Sequence, residues 1–145
     1  MSVTYSLKRI KSTIQAGSVY YFHEPSFQSS KEHYFVVLNV NPSKDEILLL
    51  VCSRSGIRWV RELRKGCPET LVEITPIQYP KFTTNSIFDC NVILPRNITD
   101  IANMLSKGKL KIIEPLMGLR LVRKLRDGAL LSNEVPEEFK LLLRI

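Results

Sequence analysis

The 145-residue chain has few of the residues that cross-link or bind metal in small proteins, with only three cysteines and two histidines. No CxxC spacing joins the cysteines, so the sequence predicts neither a disulfide framework nor a zinc site. No apolar run approaches the roughly 18 residues that suggest a membrane span, and the first residues lack the apolar segment of a secretory signal. We therefore expect a cytoplasmic protein without a membrane partner.

Motifs for nucleotide and metal chemistry are also missing. The sequence contains no GxxxxGK[ST] loop, no GxGxxG turn, no HExxH pair and no GxSxG elbow. Nucleotide-driven work, dinucleotide chemistry and metal-dependent hydrolysis are therefore not expected, and we expect no cofactor and no metal.

The chain does have a basic composition of the globular kind. Its net charge is +7, with 44% hydrophobic and 24% charged residues, and basic residues exceed acidic ones both in 1–95 and in 96–145. The length and hydrophobic content suffice for the core of one domain. A positive field spread over a folded surface favours polyanions, nucleic acid first; a basic surface that serves only solubility is the alternative.

The order of elements predicts an α+β fold in one domain, 1–145, that is β-rich over 17–95 and helical over 97–145. Apolar and β-branched runs predict strands at 17–22, 34–38, 47–52, 71–74, 86–94 and 110–113. Capping and glycine patterns predict helices at 56–66, 97–105, 115–126 (ended by Gly128) and 136–145. Residues 5–15 form either a short helix or a loose arm.

Residues 33–55, HYFVVLNVNPSKDEILLLVCSRS, predict two strands joined by a turn. Apolar runs at both ends suit strands, and the Asn, Pro, Ser and Asp residues between them suit a turn. In an antiparallel pair joined by one turn, the start of the first strand lies near the end of the second. His33 is therefore expected to lie beside Ser53, Arg54 and Ser55.

These four side chains suit metal-free acid–base chemistry on a phosphodiester. A histidine can carry a proton near neutral pH, an arginine can stabilise a phosphorane, and a hydroxyl can position the phosphate. RNA brings its own nucleophile in the 2′-OH. We therefore predict that His33, Arg54, Ser53 and Ser55 are catalytic. The alternatives are a strand-end histidine without a role and a surface salt bridge of Arg54.

Basic residues that follow this stretch are candidates for RNA binding. Arg58 and Arg61 belong to the densest basic segment, 56–66. They would follow an RNA backbone, unless they only form the solvated face of an amphipathic helix. Trp59, in the same segment, is expected in the core; the alternative is that it stacks on a base.

Residues that precede the stretch are candidates as well. Lys31 and His23 lie in the polar loop 23–32, whose length is typical of functional loops. Lys31 would add positive charge and His23 a second proton carrier. Tyr21 could stack on an unpaired base.

The first 55 residues resemble the MazF/PemK-type toxin endoribonucleases, mainly over 17–55. The resemblance is carried by a glycine-initiated strand (17–21), a polar loop, the apolar strand 34–38 and a second apolar strand that ends in the hydroxyl-bearing turn 51–55. It implies a small SH3-like antiparallel β-barrel with C-terminal helices, usually dimeric. It also implies metal-independent cleavage of single-stranded RNA by 2′-OH transesterification, and inhibition by an antitoxin peptide.

The chain departs from that family at both usual catalytic positions. A loop without glycine, followed by His33 and Tyr34, stands where the family has a Gly-rich loop and an Arg-Pro pair. Arg54 and Ser55 stand at the threonine and serine of the family's Pro-x-Thr-Ser turn. Either His33 and Arg54 exchange parts, or the scaffold has lost catalysis.

The sequence thus predicts the ribonuclease toxin of a toxin–antitoxin pair, with RNA, a cognate antitoxin and a second copy of the chain as partners. The alternative is a non-catalytic module that binds nucleic acid or protein on the same barrel.

Overall fold

The computed structural model describes residues 2–144, and within them the chain forms six strands and five α-helices. The strands are β1 (Val19–Phe22), β2 (His33–Val37), β3 (Ile47–Arg54), β4 (Leu71–Ile74), β5 (Ser86–Asn97) and β6 (Leu110–Ile113). The helices are α1 (Val3–Thr13), α2 (Ile57–Leu63), α3 (Ile98–Ser106), α4 (Leu119–Leu131) and α5 (Glu137–Leu143). The predicted α+β class is confirmed.

All six strands belong to one antiparallel sheet, in the order β4-β5-β3-β2-β1-β6. Within residues 2–144 the sheet is not closed into a barrel, because β4 and β6 lie at its two edges. The predicted SH3-like barrel is therefore not confirmed. The predicted hairpin is confirmed: β2 and β3 are antiparallel neighbours, with Phe35 opposite Cys52 and Val37 opposite Leu50.

Helices cover both faces of the sheet. On one face Phe35 packs with Ile10 of α1 and Ile101 of α3. On the other face Val36 packs with the group that includes Leu125 of α4. Because successive side chains of a strand point to opposite faces, the uninterrupted apolar runs of β2 and β3 serve two cores at once.

Two helices differ from their predicted form. Residues 5–15 are predicted as a helix or an arm; α1 covers Val3–Thr13 of the chain, so it starts and ends two residues earlier, and its first turn is capped by the Ser2 side chain. The helix predicted at 115–126 is α4, which begins at Leu119 rather than at Pro115 and continues through Gly128. Gly108 does end α3, with a φ of +70° that suits a glycine after a helix.

Gly128 permits close packing instead of ending a helix. A Cβ atom at this position would lie 3.0 Å from Cys90 Sγ and 3.2 Å from the backbone oxygen of Thr70. Cys90 is fully buried in β5, so it has little room to move. The glycine therefore lets α4 approach the sheet more closely than any other residue would.

We expect Gly128→Ala to lower the free energy of unfolding by about 1–3 kcal/mol, because overpacking outweighs the better helix propensity of alanine. Urea unfolding measures the change. The control is Gly66→Ala, since nothing lies within 4 Å of a Cβ there; it should leave stability nearly unchanged. Equal stability of the two variants would contradict the close-packing explanation.

Candidate functional site

A cavity of about 150 Å³ opens where the start of β2 meets the end of β3. We call it the β2–β3 cleft. All four predicted catalytic residues line it, together with two of the predicted RNA-binding residues: His33, Ser53, Arg54, Ser55, Lys31 and Tyr21. The antiparallel pairing of the two strands brings these residues together, as the hairpin predicted.

Part of the cleft was missed by sequence reasoning. Its remaining wall comes from Phe82, Thr83, Thr84 and Ser86, in and after the connection between β4 and β5. Tyr34 joins the two walls, since its hydroxyl donates a hydrogen bond to the backbone oxygen of Lys81 (3.3 Å). No local pattern pairs this segment with the hairpin, so only the three-dimensional structure could identify it.

Ser53 is held in place by a contact across the hairpin. The backbone N–H of Tyr34 donates a hydrogen bond to Ser53 Oγ (3.1 Å), and Ser53 is buried. The register between β3 and β5 shifts between Val51 and Ser53, as in a β-bulge, and bulges re-aim side chains. The Ser53 oxygen acts here as an acceptor, so its hydroxyl hydrogen can be donated to an anionic oxygen in the cleft.

His33 is the first residue of β2 and is half-buried. Burial and then the positive charge of Arg54 lower the pKa of its imidazole from the usual value of 6.5, and a weak contact with the backbone of Lys31 only partly offsets the shift. Its Nδ1 atom is buried without a well-formed hydrogen bond. The ring lies edge-on to Phe27, with 6.0 Å between ring centroids. At neutral pH the imidazole is thus neutral, the form that can accept a proton.

Arg54 supplies positive charge beside this imidazole. It is half-buried, and within residues 2–144 no carboxylate forms a salt bridge with it. Tyr21 and Tyr34 form an aromatic wall of the same cleft, with 4.6 Å between their ring centroids. The cleft therefore combines a neutral imidazole, a guanidinium without a salt-bridge partner in residues 2–144 and a hydroxyl, and the exposed carboxylate of Glu32 also belongs to its lining.

Three predicted RNA-binding residues lie outside the cleft. His23 is exposed, donates a hydrogen bond from Nε2 to the backbone oxygen of Ser29 (3.1 Å), and lines a separate cavity of about 620 Å³. Arg61 forms a salt bridge with Glu73. Arg58 is exposed on α2 and lines a surface that also includes Ser55.

The predicted core position of Trp59 is wrong, since its side chain is 61% exposed. Val60, its neighbour on the seven-residue helix α2, is the buried residue there. A short helix at the margin of a domain presents only one side to the protein, and a helical period cannot say which side.

A buried polar network holds the end of the α2 segment. Asp89 of β5, 5% exposed, accepts hydrogen bonds from Arg64 Nε (2.9 Å) and from the Asn91 side-chain amide (2.7 Å). Asn91 in turn contacts Thr70 and Ser132 (2.7 and 2.6 Å). Arg64, although part of the basic segment, is therefore committed to the fold.

Residues 2–144 contain neither a cluster of metal ligands nor a helix that could span a membrane. No group of three His, Cys, Asp or Glu side chains there is placed to hold a metal ion. No helix in the same range has the length and apolar character needed to cross a bilayer.

Comparison of the chain with models of protein families and with curated proteins gave no match. The function must therefore be inferred from the chemistry of the β2–β3 cleft.

Proposed function

We propose that the protein is a metal-independent endoribonuclease that cleaves single-stranded RNA in the β2–β3 cleft. The observation that carries the proposal is the meeting of His33, Arg54 and Ser53 in one cavity, where the imidazole is neutral and the guanidinium has no salt-bridge partner among residues 2–144. These are a proton acceptor, an anion stabiliser and a hydrogen-bond donor.

The proposed reaction is an internal transesterification. His33 removes the proton of the 2′-OH, and the 2′-oxygen attacks the adjacent phosphorus. The bond from phosphorus to the 5′-oxygen breaks, and that oxygen takes up a proton from the imidazolium or from water. The products are a 2′,3′-cyclic phosphate and a 5′-hydroxyl.

Arg54 and the serines act on the phosphate. The guanidinium donates two parallel hydrogen bonds to the phosphorane oxygens, whose negative charge grows in the transition state. Ser53 donates its hydroxyl hydrogen to the phosphate, with Ser55 at the mouth of the cleft as the second hydroxyl.

The size of the cleft favours a single strand. Its volume of about 150 Å³ is well below the roughly 300–1,000 Å³ of pockets that enclose drug-sized ligands. It suits one phosphate group rather than a whole nucleotide. The bases on either side must then lie on the surrounding surface, which requires that they be unpaired.

The resemblance of residues 17–55 to MazF/PemK-type enzymes extends the proposal to the toxin of a toxin–antitoxin pair in the cytoplasm. Under this extension a cognate antitoxin covers the cleft, where Arg54 and Lys31 offer positive charge to an acidic peptide. The succession of β1, β2 and β3 as antiparallel neighbours supports it, as the part of the sheet that an SH3-like barrel would share. Dimerisation belongs to the same extension.

A second candidate is a non-catalytic module that binds nucleic acid or protein in the same cleft. It is favoured by the position of His23, the second predicted proton carrier, which lines a different cavity. General acid–base cleavage gains from an acid as well as a base, and His33 is the only imidazole in the cleft's lining.

Incubation of the full chain with a random-sequence single-stranded RNA in excess chelator tests the proposal. We expect fragments that end in 2′,3′-cyclic phosphate and 5′-hydroxyl, whereas DNA of matched length should bind but stay intact because it lacks the 2′-OH. Intact RNA that binds with strong salt dependence would favour the binding module. Intact RNA without such binding would contradict the ribonuclease and the nucleic-acid-binding form of the second candidate.

A further inference from the structure

The helix α2 carries an exposed apolar surface directly beside the β2–β3 cleft. Trp59 is 61% exposed and Leu63 is 55% exposed. A shallow depression around Trp59 is lined by six consecutive or neighbouring residues, which we call the Trp59 surface: Ser55, Gly56, Ile57, Arg58, Trp59 and Glu62. Ser55 also lines the cleft, so the two sites are contiguous.

The Trp59 surface is rigidly supported. The backbone N–H of Ile57 donates a hydrogen bond to the Ser55 oxygen (2.9 Å), which joins α2 directly to the end of β3. Val60 is buried and anchors the inward side of the helix, and just beyond the end of the helix Arg64 pairs with the buried Asp89. An indole on a helix anchored in this way, yet left in water beside a cleft and next to another exposed apolar side chain, indicates a binding surface.

The charges around the indole select the kind of partner. Arg58 is exposed, and within residues 2–144 it forms no salt bridge, whereas Arg61 and Lys65 are neutralised by Glu73 and Glu62. On the cleft side of Ser55, Arg54 and Lys31 outnumber the single carboxylate of Glu32, and Arg58 lies on the other side, so positive charge prevails on both sides. A flat aromatic ring flanked by free cations suits single-stranded nucleic acid, whose bases stack while its phosphates pair with the cations.

We propose that Trp59 and Arg58 form a nucleotide subsite that adjoins the cleft. Trp59 stacks on one unpaired base, and Arg58 contacts the phosphate next to it. The substrate class rests on the proposed function, which this inference deepens: the cleft has room for the scissile phosphate, and the Trp59 surface holds the base of a neighbouring nucleotide.

Trp59 is the only tryptophan of the chain, so its fluorescence reports on the subsite alone. We would titrate the full chain with oligo(dT), which offers bases and phosphates but no 2′-OH, at low salt and in chelator. Saturating oligo(dT) should quench the emission. Inorganic polyphosphate, a polyanion without bases, should bind without comparable quenching.

Variants separate stacking from charge. Loss of one stacked base is expected to weaken oligo(dT) binding roughly 5- to 150-fold in Trp59→Ala, measured by fluorescence anisotropy of a labelled oligonucleotide. Trp59→Phe should restore part of the affinity. The matched control is Tyr5→Ala on α1, which removes another exposed aromatic side chain (58%) and should change nothing.

Two results would overturn the subsite. One is oligo(dT) binding that neither quenches Trp59 nor weakens in Trp59→Ala, or no binding at all. The other is an emission shift that depends on protein concentration alone, which would place Trp59 between two copies of the chain. RNA cleavage measured in parallel keeps the proposals apart: quenching without cleavage supports the subsite against the ribonuclease, and cleavage without quenching does the reverse.

Discussion

Replacing Asp89 with alanine is expected to lower the free energy of unfolding by about 3 kcal/mol, because one partner of a buried ion pair is lost. Asp89 accepts hydrogen bonds from Arg64 Nε (2.9 Å) and from the backbone and side-chain amides of Asn91 (3.1 and 2.7 Å). Its removal leaves Arg64, whose side chain is 16% exposed, without its buried partner. Breaking a buried ion pair usually costs about 3–5 kcal/mol. The loss here is expected at the lower end of that range because Glu134 still pairs with Arg64.

The cost spreads because Asn91 ties several elements together. Ser132, at the end of α4, donates a hydrogen bond to the side-chain oxygen of Asn91 (2.6 Å). The side-chain amide of Asn91 in turn donates to the hydroxyl of Thr70, just before β4 (2.7 Å). In the low-dielectric interior a partly satisfied network is costly. Losing Asp89 therefore weakens the contacts of α2, α4 and the β4 edge together.

Urea unfolding followed by circular dichroism measures this effect. Asp89→Asn keeps the shape and removes the charge, so we expect an intermediate loss, and it provides the measurement if Asp89→Ala does not fold. The control is Glu62→Ala, which breaks the exposed salt bridge to Lys65 and should cost less than about 1 kcal/mol. If Asp89→Ala were as stable as this control, the network would contribute little.

Replacing His33 with alanine is expected to slow RNA cleavage by about 10²- to 10⁴-fold, since general base catalysis is lost. RNA affinity should change little, because a neutral imidazole contributes no charge. The fold should persist as well, since Nδ1 makes no well-formed hydrogen bond and the ring contact is with Phe27. His33→Gln, which keeps a polar side chain of similar size, should be equally slow. Wild-type rates in either variant would remove His33 from the mechanism.

The pH profile of kcat/KM provides an independent check of the same assignment. Burial first and the charge of Arg54 second lower the pKa of His33 from 6.5, so the rate should rise with pH through an inflection below 6.5 and then level off. Arg54→Gln removes the positive neighbour and should move that inflection upward. An inflection above 6.5 in the wild type would exclude His33 as the base.

The free energy of unfolding, like the cleavage rate, should fall as the pH falls below 6.5. Below 6.5 the unfolded state binds a proton on His33 more readily than the folded state does, which favours unfolding. The contribution of His33 to stability is therefore fully present above 6.5 and is lost as the pH falls through the lowered pKa of the folded state.

The sequence by itself determined the β2–β3 hairpin and the meeting of His33 with Ser53, Arg54 and Ser55. Two apolar runs separated by a turn allow one antiparallel pairing in which the outer ends coincide, so contacts of this kind follow from local order. The strand positions and the glycine stop after α3 were predictable for the same reason: each depends on a few adjacent residues.

Only the tertiary structure decided the rest. The segment from Phe82 to Ser86 completes the cleft, and Asp89 pairs with Arg64, which precedes it by 25 residues. Neither contact has a local pattern in the sequence. Trp59 is exposed and Gly128 lies within α4 because of what packs against each helix. A helical period does not say which side of a helix is buried, and a glycine can either end a helix or permit close packing within it. The outcome depends on which distant surface packs against the helix. Packing between elements determines that outcome. It also decides whether the sheet closes into a barrel or stays open.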